Sequence, residues 1–180
     1  VISSVMISGP GGVLLFYFTI TGPQSGIVVT DSTEPLSFSS LKIDGVQQMG
    51  IFLIGAQIEL NDSDLIIQNT VSVDETLSSG TGVLFMAGAR MVLEGGLITH
   101  NESQGVFMAQ SDTTAPNSTL ELHNVVISEN GMDEEEIMQA GIFISEGGDL
   151  TANQLLVFEN NGGGLLSYSS EIQDSISSIS

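Results

Sequence analysis

The sequence lacks cysteine altogether and has almost no basic residues. Without cysteine, its 180 residues form neither a disulfide nor a thiolate metal site. Only Lys42 and Arg90 oppose 22 acidic residues, which gives a formal net charge of −20. Such a surface repels phosphate backbones and anionic lipid, so we expect no nucleic-acid partner. The scarcity of lysine favours an extracellular or cell-surface location.

A long apolar run is also missing, although apolar residues make up 41% of the chain. The longest run, residues 13–18, falls far short of the roughly 20 residues that a membrane-spanning helix needs. We therefore expect no membrane insertion, and the apolar side chains must be buried in a fold or against neighbours. Nothing in the composition divides the chain, so we treat residues 1–180 as one domain, a piece of a longer chain or assembly.

What the sequence contains instead is a repeat in which an asparagine follows a glycine 19 positions later. Three such pairs share apolar flanks: Gly50 and Asn69, Gly82 and Asn101, and Gly141 and Asn160. A weaker copy runs from Gly26 to Gly45. Another opens at Gly105 and ends at Asn130 if six residues are inserted near 111–117. The alternative end, Asn124, would leave a long apolar loop, and we therefore prefer Asn130.

The repeat predicts strands and turns rather than helices. Its apolar runs are short, are punctuated by glycine, asparagine and serine, and show no 3.6-residue period. The loops between one asparagine and the next glycine vary in length, as insertions in a solenoid do. We predict an all-β solenoid of about seven coils that stack by parallel pairing at about 4.8 Å. Two columns should then line it, Ile27, Ile51, Val83, Val106, Ile142 and Leu165, and Phe18, Leu41, Leu65, Leu97, Val126 and Leu156.

The closing asparagines should form a second kind of column, made of side-chain amides. Stacked amides bond to the coils above and below them. The predicted ladder consists of Asn69, Asn101, Asn130 and Asn160.

These repeats resemble those of right-handed parallel β-helix proteins of the pectate-lyase-like superfamily. They are most similar to the adhesin-type repeats of polymorphic outer membrane proteins, whose motifs are FxxN and GGA[ILV]. Aliphatic residues replace the phenylalanine of FxxN, at Ile66, Ile98, Ile127 and Val157. Only Gly163-Gly164-Leu165 keeps the glycine pair of the second motif. The resemblance implies a single right-handed parallel β-helix, a fold shared by lyases, hydrolases, adhesins and fibres.

The resemblance also implies two kinds of catalytic site, and neither is present in the sequence. Lyases of this superfamily use a basic residue beside bound calcium, but Lys42 and Arg90 fall at different offsets in different coils. Hydrolases use acids on adjacent coils, whereas Asp31 and Glu146, at one offset, would lie about 19 Å apart. Paired glycosidase carboxylates need about 5–10 Å. We therefore predict no catalytic residue and no enzymatic activity.

Two groups of acidic residues suggest that the protein binds cations. The position seven before the closing asparagine holds Asp62, Glu94 and His123 in successive coils, which predicts a divalent metal site. The alternative is a polar outer row of screened pairs. Acidic loops at 74–75 and 133–136 leave one corner two coils apart, which would suit Ca²⁺, with solvated loops as the alternative. We predict no other cofactor.

A further apolar column lies one residue after the column that begins at Ile27. It should face outward, because neighbouring residues in a strand point to opposite faces. The alternative to an exposed apolar stripe is a bulge in the strand or a loop that covers these residues. The predicted interface is Phe52, Leu84, Phe107 and Phe143. We expect a structural or adhesive module of a surface assembly or filament, in contact with copies of itself, flanking domains or surface polysaccharide. The alternatives are a carbohydrate-active or carbohydrate-binding β-helix and a viral or phage fibre segment.

Overall fold

The described chain consists entirely of strands and turns. The computed structural model describes residues 4–9, 14–32, 36–60, 65–73, 79–109, 115–131, 139–145, 148–167, 171–175 and 178–179. No helix in these ranges is long and apolar enough to cross a membrane. The strands are β1 Val5–Ser8, β2 Leu14–Gly22, β3 Ile27–Thr30, β4 Leu36–Val46, β5 Met49–Ile54, β6 Gln57–Leu60, β7 Ile66–Gln68, β8 Thr81–Met86, β9 Arg90–Thr99, β10 Val106–Met108, β11 Ser118–Ser128, β12 Ile142–Ile144, β13 Gly148–Asn153, β14 Leu156–Phe158, β15 Leu165–Ser167, β16 Glu171–Ser175 and β17 Ser178–Ile179.

Parallel pairing joins these strands into two sheets. The seven-strand sheet has the order β1-β3-β5-β8-β10-β12-β15. The ten-strand sheet follows β2-β4-β6-β9-β11-β13-β16, and β7, β14 and β17 extend it beyond a bend in the chain. After each strand of one sheet, the chain passes through the other sheet before it returns. Neighbouring strands of one sheet therefore come from successive coils. The predicted parallel β-helix is therefore confirmed.

The aliphatic column after the leading glycines forms one wall of the core. Ile27 pairs with Ile51, Ile51 with Val83, and the register continues through Val106 and Ile142. These five side chains are between 0% and 1% exposed. Burial of an aliphatic side chain contributes about 1.5–3 kcal/mol relative to exposure, so the column is a major source of stability.

The leading glycines are required because consecutive coils leave no room for a side chain there. A Cβ atom on Gly105 would lie 2.6 Å from the carbonyl oxygen of Gly141 and 2.8 Å from Nδ2 of Asn130. On Gly82 it would lie 2.6 Å from the oxygen of Gly105. The glycine and the asparagine of the repeat therefore pack against each other, which explains why they recur together.

The coil that opens at Gly105 has the register that ends at Asn130. Eleven positions separate Met108 from Thr119, whereas five separate their partners Phe85 and Arg90. The six-residue insertion thus lies between the first and second strands of this coil. The rival residue, Asn124, has a φ of 57° and sits at a different bend.

The second predicted column breaks at Leu97, because the register shifts by one residue, and its last three members are off the core position. Leu97 pairs with Ile66 and not with Leu65. Six positions separate Leu60 from Ile66, where four separate the corresponding partners on β9. The preceding turn is one residue shorter, so the net shift is one residue, which places the position equivalent to Asn101 at 20 residues after Gly50 rather than 19. Leu65 is consequently buried, whereas Leu97 and Val126 are only partly buried and Leu156 is 40% exposed.

Left-handed residues mark the bends between strands. They form three rows with positive φ: Gly9, Asp31, Gly55 and Ala87, then Ser40, Gly95, Asn124 and Gln154, then Gly45, Asn69, His100, Glu129 and Glu159. Residues other than glycine adopt this conformation rarely, at a cost of about 1–2 kcal/mol each. Coil-to-coil pairing must outweigh that cost, since each row repeats at the same bend.

Replacing Gly105 by alanine should destabilise the fold by about 1–3 kcal/mol, because overpacking forces the two coils apart. The matched control is Gly45→Asn, since Gly45 is exposed with a φ of 66° and a Cβ there would meet nothing within 4 Å. Asn69 already occupies the equivalent bend of the next coil. Urea unfolding measures both variants, and equal losses would contradict the packing explanation.

Candidate functional site

Three of the four predicted asparagines form a continuous amide ladder inside the solenoid. Asn101 Nδ2 donates to Asn130 Oδ1 at 2.8 Å, and Asn130 Nδ2 donates to Asn160 Oδ1 at 2.9 Å. The backbone N–H groups of Asn101 and Asn130 donate to the same two oxygens, at 3.2 and 3.0 Å. Asn101 and Asn130 are 0% and 1% exposed, so these bonds satisfy groups that water does not reach.

Asn69 is not part of this ladder, and its prediction is wrong. It is exposed at a left-handed bend and donates to Asp44 Oδ1 at 2.8 Å. Thr70 occupies the ladder position, and its backbone N–H donates to Asn101 Oδ1 at 3.2 Å. The cause is the net shift of one residue that arises between Ile54 and Ile66, which moves the closing position from Asn69 to Thr70. The hydroxyl of Thr70 is buried without a hydrogen-bond partner.

Asp44 is the centre of a polar cluster on the outside of the ten-strand sheet. Its carboxylate accepts from Lys42 Nζ at 2.8 Å, from Gln68 Nε2 at 3.0 Å and from Asn69. Burial raises the pKa of Asp44, but the hydrogen bonds from Lys42, Asn69 and Gln68 and the charge of Lys42 bring it below its ordinary value. Both partners of the ion pair are partly exposed, so it contributes little to stability.

The predicted metal ligands Glu94 and His123 are paired in register on β9 and β11. Asp62, the third, lies outside the described residues, as do the acidic segments 74–75 and 133–136. Among the residues described, no three His, Asp or Glu side chains form a group able to hold a metal ion. The structure thus brings together two of the three predicted ligands.

The other basic side chains of the ten-strand sheet are engaged in pairs. Arg90 contacts Glu121 at 2.8 Å and Glu59 at 3.5 Å, on the strands to either side of it. His100 Nε2 contacts the carboxylate of Glu129, and His100 Nδ1 lies 2.8 Å from Thr99 Oγ1. Sequence spacing alone missed the partners of Arg90, because they lie on diagonal positions of neighbouring strands.

The seven-strand sheet differs from the rest of the molecule because its strands, as described, contain no charged residue. Its outward column runs in continuous register, and every member is apolar: Met6, Val28, Phe52, Leu84, Phe107, Phe143 and Leu166. The rings of Phe107 and Phe143 lie 5.1 Å apart. We call the outer side of this sheet the charge-free face.

Exposure varies along the charge-free face. Phe52, Phe107 and Phe143 are half-buried and retain surface in contact with solvent. Leu84, predicted as a member of the interface, is instead buried at 3% exposure. Its register neighbours are the larger Phe52 and Phe107, which shield the shorter side chain between them. The accessible part of the predicted interface therefore consists of the three phenylalanines.

A cleft of about 500 Å³ lies at one end of the charge-free face. Its apolar lining includes Met6, Val28 and Phe52 of the outward column. Three glutamines, Gln24, Gln47 and Gln48, also line it, and none of its described lining residues is charged. The sequence repeat did not predict this cleft, because the glutamines occupy bend positions where the repeat is irregular.

The parallel register, the glycine column and the asparagine ladder agree with a comparison of the sequence with family models. The model described as a right-handed β-helix region matches residues 3–176. The chain belongs to the right-handed β-helix family. Comparison with curated proteins and with solved structures found no match. Membership of this β-helix family identifies the fold, and the surfaces described above must support any functional conclusion.

Replacing Asn130 by leucine should lower the free energy of unfolding of the β-helix by about 1–3 kcal/mol. The variant leaves the buried Nδ2 and N–H groups of Asn101 without their shared acceptor. Asn153→Leu, the same change at an exposed position of β13, is the control. Thermal unfolding distinguishes them, and a loss no larger for Asn130 than for Asn153 would refute a stabilising ladder.

Proposed function

We propose that this β-helix is a structural or adhesive module of an extracellular or cell-surface assembly, and that it acts by association rather than by chemistry. The observation that supports this best is the segregation of charge. A chain with 22 acidic residues keeps every charge out of the described strands of one sheet. An apolar, charge-depleted face with aromatic residues at its centre is characteristic of a protein contact.

The size of the charge-free face determines how strong that contact is. Seven parallel strands extend over about 29 Å, and three residues across a strand span about 10 Å, which gives roughly 300 Å² per face. At about 25 cal/mol per Å², covering two such faces yields about 15 kcal/mol, similar to the cost of association. One module should therefore bind weakly and reversibly, and firm assembly requires several modules in a row.

Net charge sets the conditions for self-association. Two copies, each with a net charge of −20, repel each other. Salt screens this repulsion, with a Debye length of about 10 Å at 0.1 M. Because the charge-free face itself contains no ion pair to weaken, added salt should strengthen the contact. Ca²⁺ bound by the acidic loops would act in the same direction. The partners we propose are copies of the chain, flanking domains of the same assembly, or surface polysaccharide.

We expect the unmodified chain to self-associate weakly, and more strongly as the salt concentration rises. Sedimentation at micromolar and higher protein concentrations measures this association. Phe107→Asp should abolish it, since the new carboxylate would be desolvated within the contact. The control is Phe158→Asp, the same change on the charged ten-strand sheet, where Phe158 is also half-buried.

Two results would contradict the proposal. One is a monomer at every concentration and salt level. The other is equal association by the Phe107 and Phe158 variants. Circular dichroism of both variants must show intact strands, so that loss of association is not loss of fold.

A second candidate, a carbohydrate-binding β-helix, is favoured by the cleft. Its mixture of apolar surface and amide groups, with Phe52 in the lining, suits an uncharged sugar with one apolar face. Calorimetric titration with a neutral oligosaccharide should then give saturable heat that Phe52→Ala removes, whereas Phe143→Ala, outside the cleft, retains it. Absence of heat with the unmodified chain would reject this candidate.

A further inference from the structure

The chain contains three sequons for N-linked glycosylation, and the structure distinguishes between them. The acceptor motif Asn-x-Ser/Thr occurs at Asn61, Asn101 and Asn117. Asn61 lies outside the described residues. The other two have opposite surroundings, and this difference, rather than the motif, supports an assignment.

Asn101 is closed to modification in the folded chain. It is 0% exposed, and its Nδ2 atom donates to Asn130 Oδ1 at 2.8 Å. Its Oδ1 atom accepts from the backbone N–H of Thr70. An oligosaccharide on this nitrogen would have to occupy the interior of the solenoid, so a chain modified there would not form the ladder.

Asn117 has the opposite surroundings, immediately before β11. Its side chain is exposed, Ser118 is buried at 2%, and Thr119 is half-buried. Because successive residues of an extended chain point to opposite sides, Asn117 and Thr119 share the outward side. The two side chains that define the sequon therefore face the same way, towards the surface.

The contact between the side chains of Asn117 and Asp149 is compatible with a glycan. Nδ2 lies 3.3 and 3.4 Å from the two carboxylate oxygens of Asp149. A primary amide has two N–H groups, and an N-linked sugar replaces only one hydrogen. The remaining N–H group retains a donor for Asp149, so modification leaves no carboxylate without its partner.

We propose that Asn117 is the acceptor for an N-linked oligosaccharide, which rests on the extracellular location proposed above. The sugar comes from the lipid diphosphate carrier of the secretory pathway. A bond forms between Nδ2 and the anomeric carbon, the bond from that carbon to the diphosphate breaks, and the amide proton leaves. The lipid diphosphate is the leaving group, and no oxidant or reductant takes part.

The position of Asn117 separates the glycan from the proposed contact. Thr119 pairs with Arg90, so this sequon belongs to the charged ten-strand sheet. Phe107 and Phe143 lie on the seven-strand sheet. The oligosaccharide would extend from the charged sheet and leave the charge-free face accessible. A glycosylated chain should therefore associate with the same salt dependence as an unglycosylated one.

The test is to secrete the full chain from a glycosylating eukaryotic cell behind a cleavable leader and to treat the product with an amidase that removes N-linked sugars. We expect an increase in gel mobility on treatment. Asn117→Gln and Thr119→Val should each remove the glycan, whereas Thr119→Ser, which preserves the sequon, should retain it. Every variant is made in an Asn61→Gln background, because Asn61 lies outside the described residues and only the sequons of Asn101 and Asn117 are to be compared.

Absence of a glycan on both secreted and cell-associated protein would overturn the assignment. A glycan that persists in Asn117→Gln would overturn it equally, and mass spectrometry of peptides would then identify the modified asparagine. Neither result bears on association, because bacterially produced, unglycosylated chain tests the charge-free face by itself. Loss of salt-dependent association on glycosylation alone would contradict the proposed separation of the two surfaces.

Discussion

The close approach of one coil to the next at the leading glycines is the constraint on which this structure depends. A Cβ atom at Gly26, Gly50, Gly82, Gly105 or Gly141 would lie between 2.4 and 2.8 Å from a carbonyl oxygen of the following coil. At the last three positions, an asparagine Nδ2 atom also lies within 2.7 to 2.9 Å of that Cβ position. The missing side chain thus creates the space in which the ladder amides turn inward.

The stacking of the coils also determines which surfaces contain charged residues. The inner residues of the five central strands of the seven-strand sheet are in the core, and the central outward column of the sheet, from Met6 to Leu166, is apolar as well. Its polar outward residues, Ser8 and Thr30, lie near one end. Charged residues are consequently found on the ten-strand sheet and in loops, where Arg90 and Lys42 each contact acidic partners. A strand that is apolar on both sides is typical of one covered on both sides. This is why the charge-free face, and not the charged sheet, is the surface to which we assign association.

The sequence predicted the fold and the Ile27–Ile51–Val83 column because glycine spacing and aliphatic periodicity report directly on coil stacking. It also chose Asn130 over Asn124 correctly, since the alternative left an apolar loop. It failed at Asn69 because two turns of unequal length leave a net shift of one residue, so the ladder position of this coil lies 20 residues after Gly50, at Thr70, and Asn69 stands one residue before it. It failed at Leu84 because exposure depends on the size of register neighbours, which a repeat pattern does not encode. The cleft and the partners of Arg90 arise from contacts between coils that spacing alone does not predict.

The ladder also explains how the fold tolerates loops of different length at one corner. The backbone N–H groups of Thr70, Asn101 and Asn130 donate to the side-chain oxygen of the next ladder residue, where strand pairing has ended. Just beyond, the N–H groups of Glu102, Gly131 and Asn161 donate to the carbonyl groups of Thr70, Asn101 and Asn130. Each amide thus extends the bonding between coils past the end of the strands and satisfies the backbone before a loop departs. Since buried backbone groups must be paired, this arrangement lets the loops vary while the register stays fixed. Loops of a solenoid are where binding residues concentrate, so the amide ladder links the stability of the fold to the variability of its surface.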